Sequence, residues 1–458
     1  MFEGYTEDGH PLLGNAEKKL NATVRLTRSN VTMANTLRRA ILSLTPSVGF
    51  PVRSKNGMEN KDGKGVVIHV NTTPLPDEML EHRIGMIPIR ANPVTFDPEI
   101  YEFRLDKENK GTESMDVFAG DIEVWRKDPK APMEPAVKLD TNEFFPPDPV
   151  TNETILITRM QPQWNPVAPN QRLAFVAKAT VSNGTEDARF SPVAACAYEY
   201  TPDPSKERQA AVKARWLQNV KKIYVTEGLA REQIAALGDK IVKWEDLGPD
   251  KQGALDREFR TMEIQRCYLV DEAGEPNDFT FLFESIGVQP VPAIGEAGIA
   301  ACEALVSKYQ DMDGTLPDNV QLLVADTQFP AIDILFQGEG HTLGNLLETY
   351  LVSGHVGVEG VVEGKEEPRL TYAAYKVPHP LKAEMVLRIG CATAFEAVNR
   401  FSAGAAGAAA AAAEETADSL ANVNTQKQIA RSAVSVVCRK LKEEFRTLKE
   451  SWMRETSR

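Results

Sequence analysis

Two stretches of this chain, 310 residues apart, spell nearly the same local pattern. Thr32-Met33-Ala34-Asn35-Thr36-Leu37, followed by Ile41, aligns with Thr342-Leu343-Gly344-Asn345-Leu346-Leu347, followed by Leu351. In the first copy Ala34, Leu37, Ile41 and Leu44 recur at spacings of three and four until Pro46 stops them, which predicts a short amphipathic helix. In the second, Thr342–Val352 gathers Leu343, Leu346, Leu347, Tyr350 and Leu351 on one face, with Gly354 placed as a C-terminal cap. Strand-like sequence follows each copy, and each closes on a later helix with an apolar stripe. The stripes are Ile294, Ala297, Ala301, Leu305 and Tyr309, then Ile429, Ala433, Val437, Leu441, Phe445, Leu448 and Trp452. The identities are few, but the shared order of elements reads as two related modules on one chain.

Such stripes do not stay in water, because burying a Leu or Phe side chain is worth about 1.5–3 kcal/mol. Packing the two leading and two trailing helices across a pseudo-twofold axis buries all four. The expected interface joins Ala34, Leu37, Ile41 and Leu305 to Leu343, Gly344, Leu347, Leu351, Leu441, Phe445 and Leu448, with Ala34 and Gly344 small enough for helix backbones to approach. Gln310–Asn319, rich in Asp and Gly, reads as a solvated linker. Ten residues span about 33–36 Å when extended, and hold the modules at an effective concentration of about millimolar.

The expected class is α+β, an intramolecular pseudo-heterodimer with a β-rich domain inserted in its first half. Residues 1–50 and 192–310 form the first dimerisation module, interrupted by a charged helical insertion over about 201–262 with candidate helices Ala210–Tyr224 and Leu229–Trp244. Residues 51–191 form the inserted domain: Val66–Val70 and Arg172–Val181 read as strands, with proline-rich strand and loop between. Ala194–Tyr200 and Phe279–Glu284 return to the first module. After the linker at 311–319, residues 320–458 form the second module, with strands Ala331–Phe336, Leu370–Tyr375 and Glu384–Ile389 and an alanine-rich, partly disordered insertion over about 402–424.

Composition narrows the function. Against 52 Lys and Arg stand 65 Asp and Glu, a net charge of −13, so tight nucleic-acid binding, which needs clustered cations, is not expected. Cys196, Cys267, Cys302, Cys391 and Cys438 are scattered without a C-x-x-C pair, which points to a reducing compartment and to no metal or other cofactor. No apolar run reaches the roughly 20 residues of a membrane span, and Met1–Leu13 lacks the pattern of a signal peptide, so a soluble intracellular protein is expected. Asp311-Met312-Asp313-Gly314-Thr315 has the form of the haloacid-dehalogenase nucleophile segment. That chemistry needs a buried parallel strand ahead of the first Asp, whereas Ser307–Gln310 ends an amphipathic helix; a phosphatase is the weaker alternative.

Longer segments bring a family into view. Asn35-Thr36-Leu37-Arg38-Arg39-Ala40-Ile41-Leu42-Ser43 resembles the first helix of the alpha-like assembly subunits of multisubunit RNA polymerases. Asn71–Glu78 with Glu81-His82-Arg83-Ile84-Gly85-Met86-Ile87-Pro88-Ile89 is similar to their second signature, and Phe190–Ala194 to the return from the inserted domain. Glu339–Leu347 and Tyr375-Lys376-Val377-Pro378-His379-Pro380-Leu381 resemble the small eleventh-subunit, archaeal L-like partner. The resemblance implies two dimerisation partners fused in one chain, a form that suggests a large DNA virus polymerase, placed in the nucleus or in a cytoplasmic virus factory and virion. It implies a non-catalytic assembly subunit, one copy per polymerase, recruiting the two large catalytic subunits and small assembly subunits. Arg38 and Arg39 would then face the second-largest subunit rather than form a solvated helix face. Glu81, His82 and Arg83 would either join that docking surface or brace the inserted domain, and His341 and His379 would hydrogen-bond within the second module. Family members that bind zinc or an iron–sulfur cluster do so in or beside the inserted domain; Pro51–Ser191 has no cysteine, so neither group is expected here.

Overall fold

Alternating burial of Ala22, Val24 and Leu26 makes β2 (Asn21–Thr27) a half-buried strand, paired antiparallel with β1 (Phe2–Asp8). Asn30 then starts α1 (Val31–Ser43): its Oδ1 accepts from the Met33 N–H at 2.8 Å. The structure, a computed structural model, describes residues 1–8, 20–51, 65–127, 135–148, 151–163, 169–225, 242–327, 329–356, 370–391 and 411–457.

Beyond α1 the chain enters the inserted domain through a neck, where Pro46–Gly49 pairs antiparallel with Thr180–Asn183. That neck lies at the edges of the inserted domain expected over 51–191. The domain contains β3 (Gly65–Asn71), α2 (Asp77–Gly85), β4 (Tyr101–Glu108), β5 (Met115–Phe118), β6 (Glu123–Arg126), β7 (Val137–Leu139), β8 (Leu156–Met160) and β9 (Arg172–Lys178). Five strands form a sheet in the order β3-β9-β4-β6-β7, and β5 pairs with β8. Phe50, Ile84, Phe103 and Phe175 anchor a core of its own. Sequence periodicity did not predict α2, since nine residues carry only Leu80 and Ile84 as large buried apolar groups. Its start is nonetheless marked by Pro76 ahead of Asp77 and Glu78, acids placed at the positive end of the helix dipole.

The chain returns through β10 (Val193–Tyr200), α3 (Lys206–Trp216), α4 (Pro249–Glu258), β11 (Asp278–Ser285) and α5 (Val291–Ser307). The expected helix over Ala210–Tyr224 starts earlier, at a Ser205 cap, and gives way to a strand at Ile223–Tyr224. Of the helix expected over Leu229–Trp244, most lies outside the described residues, and Val242–Lys243 is strand. Trp216, Leu217, Ile223 and Phe259 give this excursion a small core.

The second half runs β12 (Val320–Val324), β13 (Ala331–Gln337), α6 (His341–His355), β14 (Leu370–Lys376), β15 (Glu384–Cys391) and α7 (Ala411–Thr456). Gly354 is not a cap but the penultimate residue of α6, which ends at Val356 in extended conformation. The alanine-rich stretch splits: 402–410 lies outside the described residues, and from Ala411 onward the chain is already α7. The two sheets are built alike. Each is antiparallel, with strands taken in chain order as first, second, fourth, third: β1-β2-β11-β10 and β12-β13-β15-β14. Each has one helix after its second strand and another after its fourth, and the four helices share one continuous hydrophobic core drawn from both halves.

Candidate interface between the modules and candidate docking surface

Leading helix lies on leading helix and trailing helix on trailing helix: α1 packs on α6 and α5 on α7. Leu37, Ile41, Leu343, Leu347, Leu351, Leu441 and Phe445 are each no more than 3% exposed, and Ala34, Leu305 and Leu448 are buried in the same cluster. Gly344 is buried too, but for another reason than close helix approach. A Cβ there would lie 2.3 Å from the Tyr375 ring of its own sheet, whose hydroxyl meets His341 Nδ1 at 3.2 Å. The glycines that accommodate neighbouring helices are two that sequence reasoning passed over. A Cβ on Gly298 would fall 2.5 Å from Ile41 of α1, and one on Gly295 would fall 2.1 Å from the Trp452 ring of α7.

Polar contacts across α1 and α6 fix the register. Thr32 and Thr349 share a hydroxyl–hydroxyl bond of 2.9 Å, and Arg39 Nε donates to Thr342 Oγ1 at 2.8 Å. Thr342 follows Thr32 by 310 residues, and Thr349 follows Arg39 by the same interval. The contact is thus reciprocal, position i of one module meeting position j of the other and j meeting i, which is the mark of a twofold interface. Tyr350 is where the symmetry breaks: its hydroxyl donates to Glu444 at 2.5 Å and accepts from Asn30 at 3.4 Å. Burial, with the Glu444 carboxylate second, pushes that phenol above its ordinary pKa.

At the far end of α5 the expected solvated linker is docked instead. Met312 is fully buried, the Asp313 N–H donates to Ser435 at 2.8 Å, and Arg431 reaches the carbonyls of Met312 and Gly314 at 2.6 and 2.8 Å. Arg439 pairs with Asp313 at 2.7 Å and with Asp311 at 3.6 Å. No parallel strand precedes Asp311, which follows a helix and a turn, so the pair lacks the setting of a phosphatase nucleophile. The Arg439 guanidinium holds the Asp313 carboxyl below the usual carboxylate range. Its contribution is therefore complete above the ordinary carboxylate pKa and lost as pH falls through the depressed one. Asp313→Asn should cost about 0.2–1 kcal/mol at neutral pH, in keeping with a partly exposed pair. Urea unfolding should show the difference from wild type closing in acid; a difference that persists there would reject the pairing as its source.

The docking residues fare unequally. Arg39 is exposed, and Arg38 is half-buried with Nε and Nη2 both on Asn35 Oδ1 at 3.2 and 3.0 Å. His82 is exposed. Glu81, by contrast, is only 5% exposed. Arg83 donates to the carbonyls of Ile157 and Leu156 at 2.8 and 3.0 Å, bracing α2 against β8 within the inserted domain. His379 Nδ1 accepts from the Leu381 N–H at 3.1 Å, a local turn contact. Among the described residues no group of three or more His, Cys, Asp or Glu could hold a metal ion, and no helix is long and apolar enough to cross a membrane.

Residues 331–406 match the family described as the RNA polymerase Rpb3/Rpb11 dimerisation domain. The chain is 30% identical over 191 residues to the DNA-directed RNA polymerase subunit Rpo3 of Methanopyrus kandleri, covering 40% of this chain and 56% of that one. It is 26% identical over 302 residues to the DNA-directed RNA polymerases I and III subunit RPAC1 of Bos taurus, covering 61% and 77%. Over 72 residues it is 40% identical to the DNA-directed RNA polymerase subunit Rpo11 of Metallosphaera sedula, covering 15% and 66%. The chain thus spans about half the length of the archaeal Rpo3 relative. Its likeness is to alpha-like RNA polymerase assembly subunits, of two kinds.

Proposed function

We propose that this chain is a non-catalytic assembly subunit of a multisubunit DNA-directed RNA polymerase, and that it carries both partners of an alpha-like heterodimer in one polypeptide. One observation carries the reading: the reciprocal pairing of Thr32 with Thr349 and of Arg39 with Thr342, across two sheets of the same strand order. Likeness to an Rpo3 and to an Rpo11 in the same chain supports it from the side of sequence. In this reading the pseudo-dimer is a rigid platform, one copy per polymerase, whose exposed α1 surface at Arg38 and Arg39 meets a large catalytic subunit. The second large subunit and small assembly subunits join the same platform. The chemistry of nucleotide addition belongs to the partners; this chain holds them in register.

The test is co-expression with the two large polymerase subunits of the same source. Wild-type chain should purify with them as one complex. Arg38→Glu, which leaves the Arg39–Thr342 contact in place, should cost about 2–5 kcal/mol of binding, the range for breaking a desolvated charge contact, while thermal unfolding of the free chain changes little. A wild-type chain that recovers neither large subunit would overturn the assignment.

A further inference from the structure

The strand at the free edge of the first sheet is the feature that the platform reading leaves unused. In the order β1-β2-β11-β10, β10 pairs among the described residues with β11 on one side only, so alternate backbone N–H and C=O groups face outward. Sheet edges are normally blunted by charge, proline, shortness or irregularity, and β10 carries only an irregularity near its start, between Val193 and Ala195, and one charge, Glu199, with Ala195–Tyr200 in unbroken register. β1 is broken by an irregularity between Glu3 and Thr6 and carries Glu3, Glu7 and Asp8; β12 has five residues; β14 ends on Lys376 two residues before Pro378. β10 has eight residues and neither Lys nor Pro, and its Ala194, Ala195 and Ala197 are exposed and small, open to a neighbouring backbone. Beside it a cleft of about 490 Å³ runs between the strand and α1, lined by Asn35, Arg38, Cys196, Tyr198, Glu199 and Tyr200.

Arg38 and Glu199 both line the cleft, with no ion pair between them. Its guanidinium contacts a neutral amide, Asn35, and among the described residues no carboxylate pairs with it. Tyr198 and Tyr200, with ring centroids 6.4 Å apart, give the same cleft an aromatic wall. We propose that β10 is completed in the assembled enzyme by a β-strand of the partner that docks on α1. The added strand places a carboxylate on Arg38 and, at an alternate position, an apolar or aromatic side chain on the tyrosines. Main-chain hydrogen bonds then supply affinity, and the two side-chain seats supply the register. This inference rests on the docking role proposed for α1 and names how that surface is read.

Amide hydrogen exchange, measured on the full chain alone and in the co-purified complex with the two large subunits, tests it. The outward-facing β10 amides should exchange at least tenfold more slowly in the complex. Arg38→Gln should weaken the complex at least tenfold, with β10 exchange in the free chain unchanged. A complex that forms with no added protection along β10 overturns the strand proposal and leaves the assembly role standing. Failure of any complex to form overturns both.

Discussion

Trp452→Ala should destabilise the chain by about 3–5 kcal/mol, the range for emptying a buried Trp site. The indole is 1% exposed, donates Nε1–H to the Pro292 carbonyl at 2.9 Å, and meets the rings of Phe2, Tyr5 and Phe283 at centroid distances of 5.1, 5.6 and 5.7 Å. It ties α7 of the second module to the sheet and trailing helix of the first. Gly295 is the complementary half of the contact. On an open helix face Gly→Ala would stabilise by about 1 kcal/mol. Here the new methyl would sit 2.1 Å from the indole, so Gly295→Ala should reverse that sign and cost about 1–3 kcal/mol through overpacking. In the Trp452→Ala background the glycine substitution should become neutral or favourable. Denaturant midpoints of the four proteins measure the coupling; additive effects would show that the two residues do not share this space.

Opening the chain between Gly314 and Thr315 should leave a stable complex of two polypeptides, 1–314 and 315–458. Both residues are exposed, while the helices on either side share one apolar core. Co-expressed, the pieces should co-purify at equal stoichiometry and stay together at high salt, because burial of apolar surface is not screened by ions. Expressed singly, each exposes the face that Leu37 and Ile41, or Leu347 and Phe445, otherwise bury, and each should aggregate. Recovery of either piece alone as a soluble monomer would mean that the modules fold independently, and the shared core would then be incidental.

Most of the long elements were legible because their apolar periods are long. The stripes from Ile294 and from Ile429 continue over several turns, and both lie in the helices they predict, except that Tyr309 falls just past the end of α5. What escaped was decided by contacts between distant residues. Nothing in the neighbourhood of Gly295 or Gly298 announces a tryptophan or an isoleucine arriving from another helix. Asp311 to Gly314 has the composition of a tether, yet Ser435, Arg431 and Arg439 from the far end of the chain bind it down. Glu81 and Arg83 were ambiguous for a related cause: in a helix of nine residues local pattern decides neither the burial of Glu81 nor the reach of Arg83 to the β8 carbonyls. Arg39 was read as a residue for a partner, and local pattern gave no sign of its contact across the seam with Thr342.

The position of α7 has a consequence for biosynthesis. It follows every other element in the chain, yet it seals the core of both modules. Nascent chains tend to fold domain by domain as they emerge. The inserted domain, with its separate core, is free to finish early, whereas both halves of the platform must wait, partly open, for α7 to leave the ribosome. Truncation inside that helix would leave both halves of the platform open and hand the chain to chaperones or proteases, however well the inserted domain had folded.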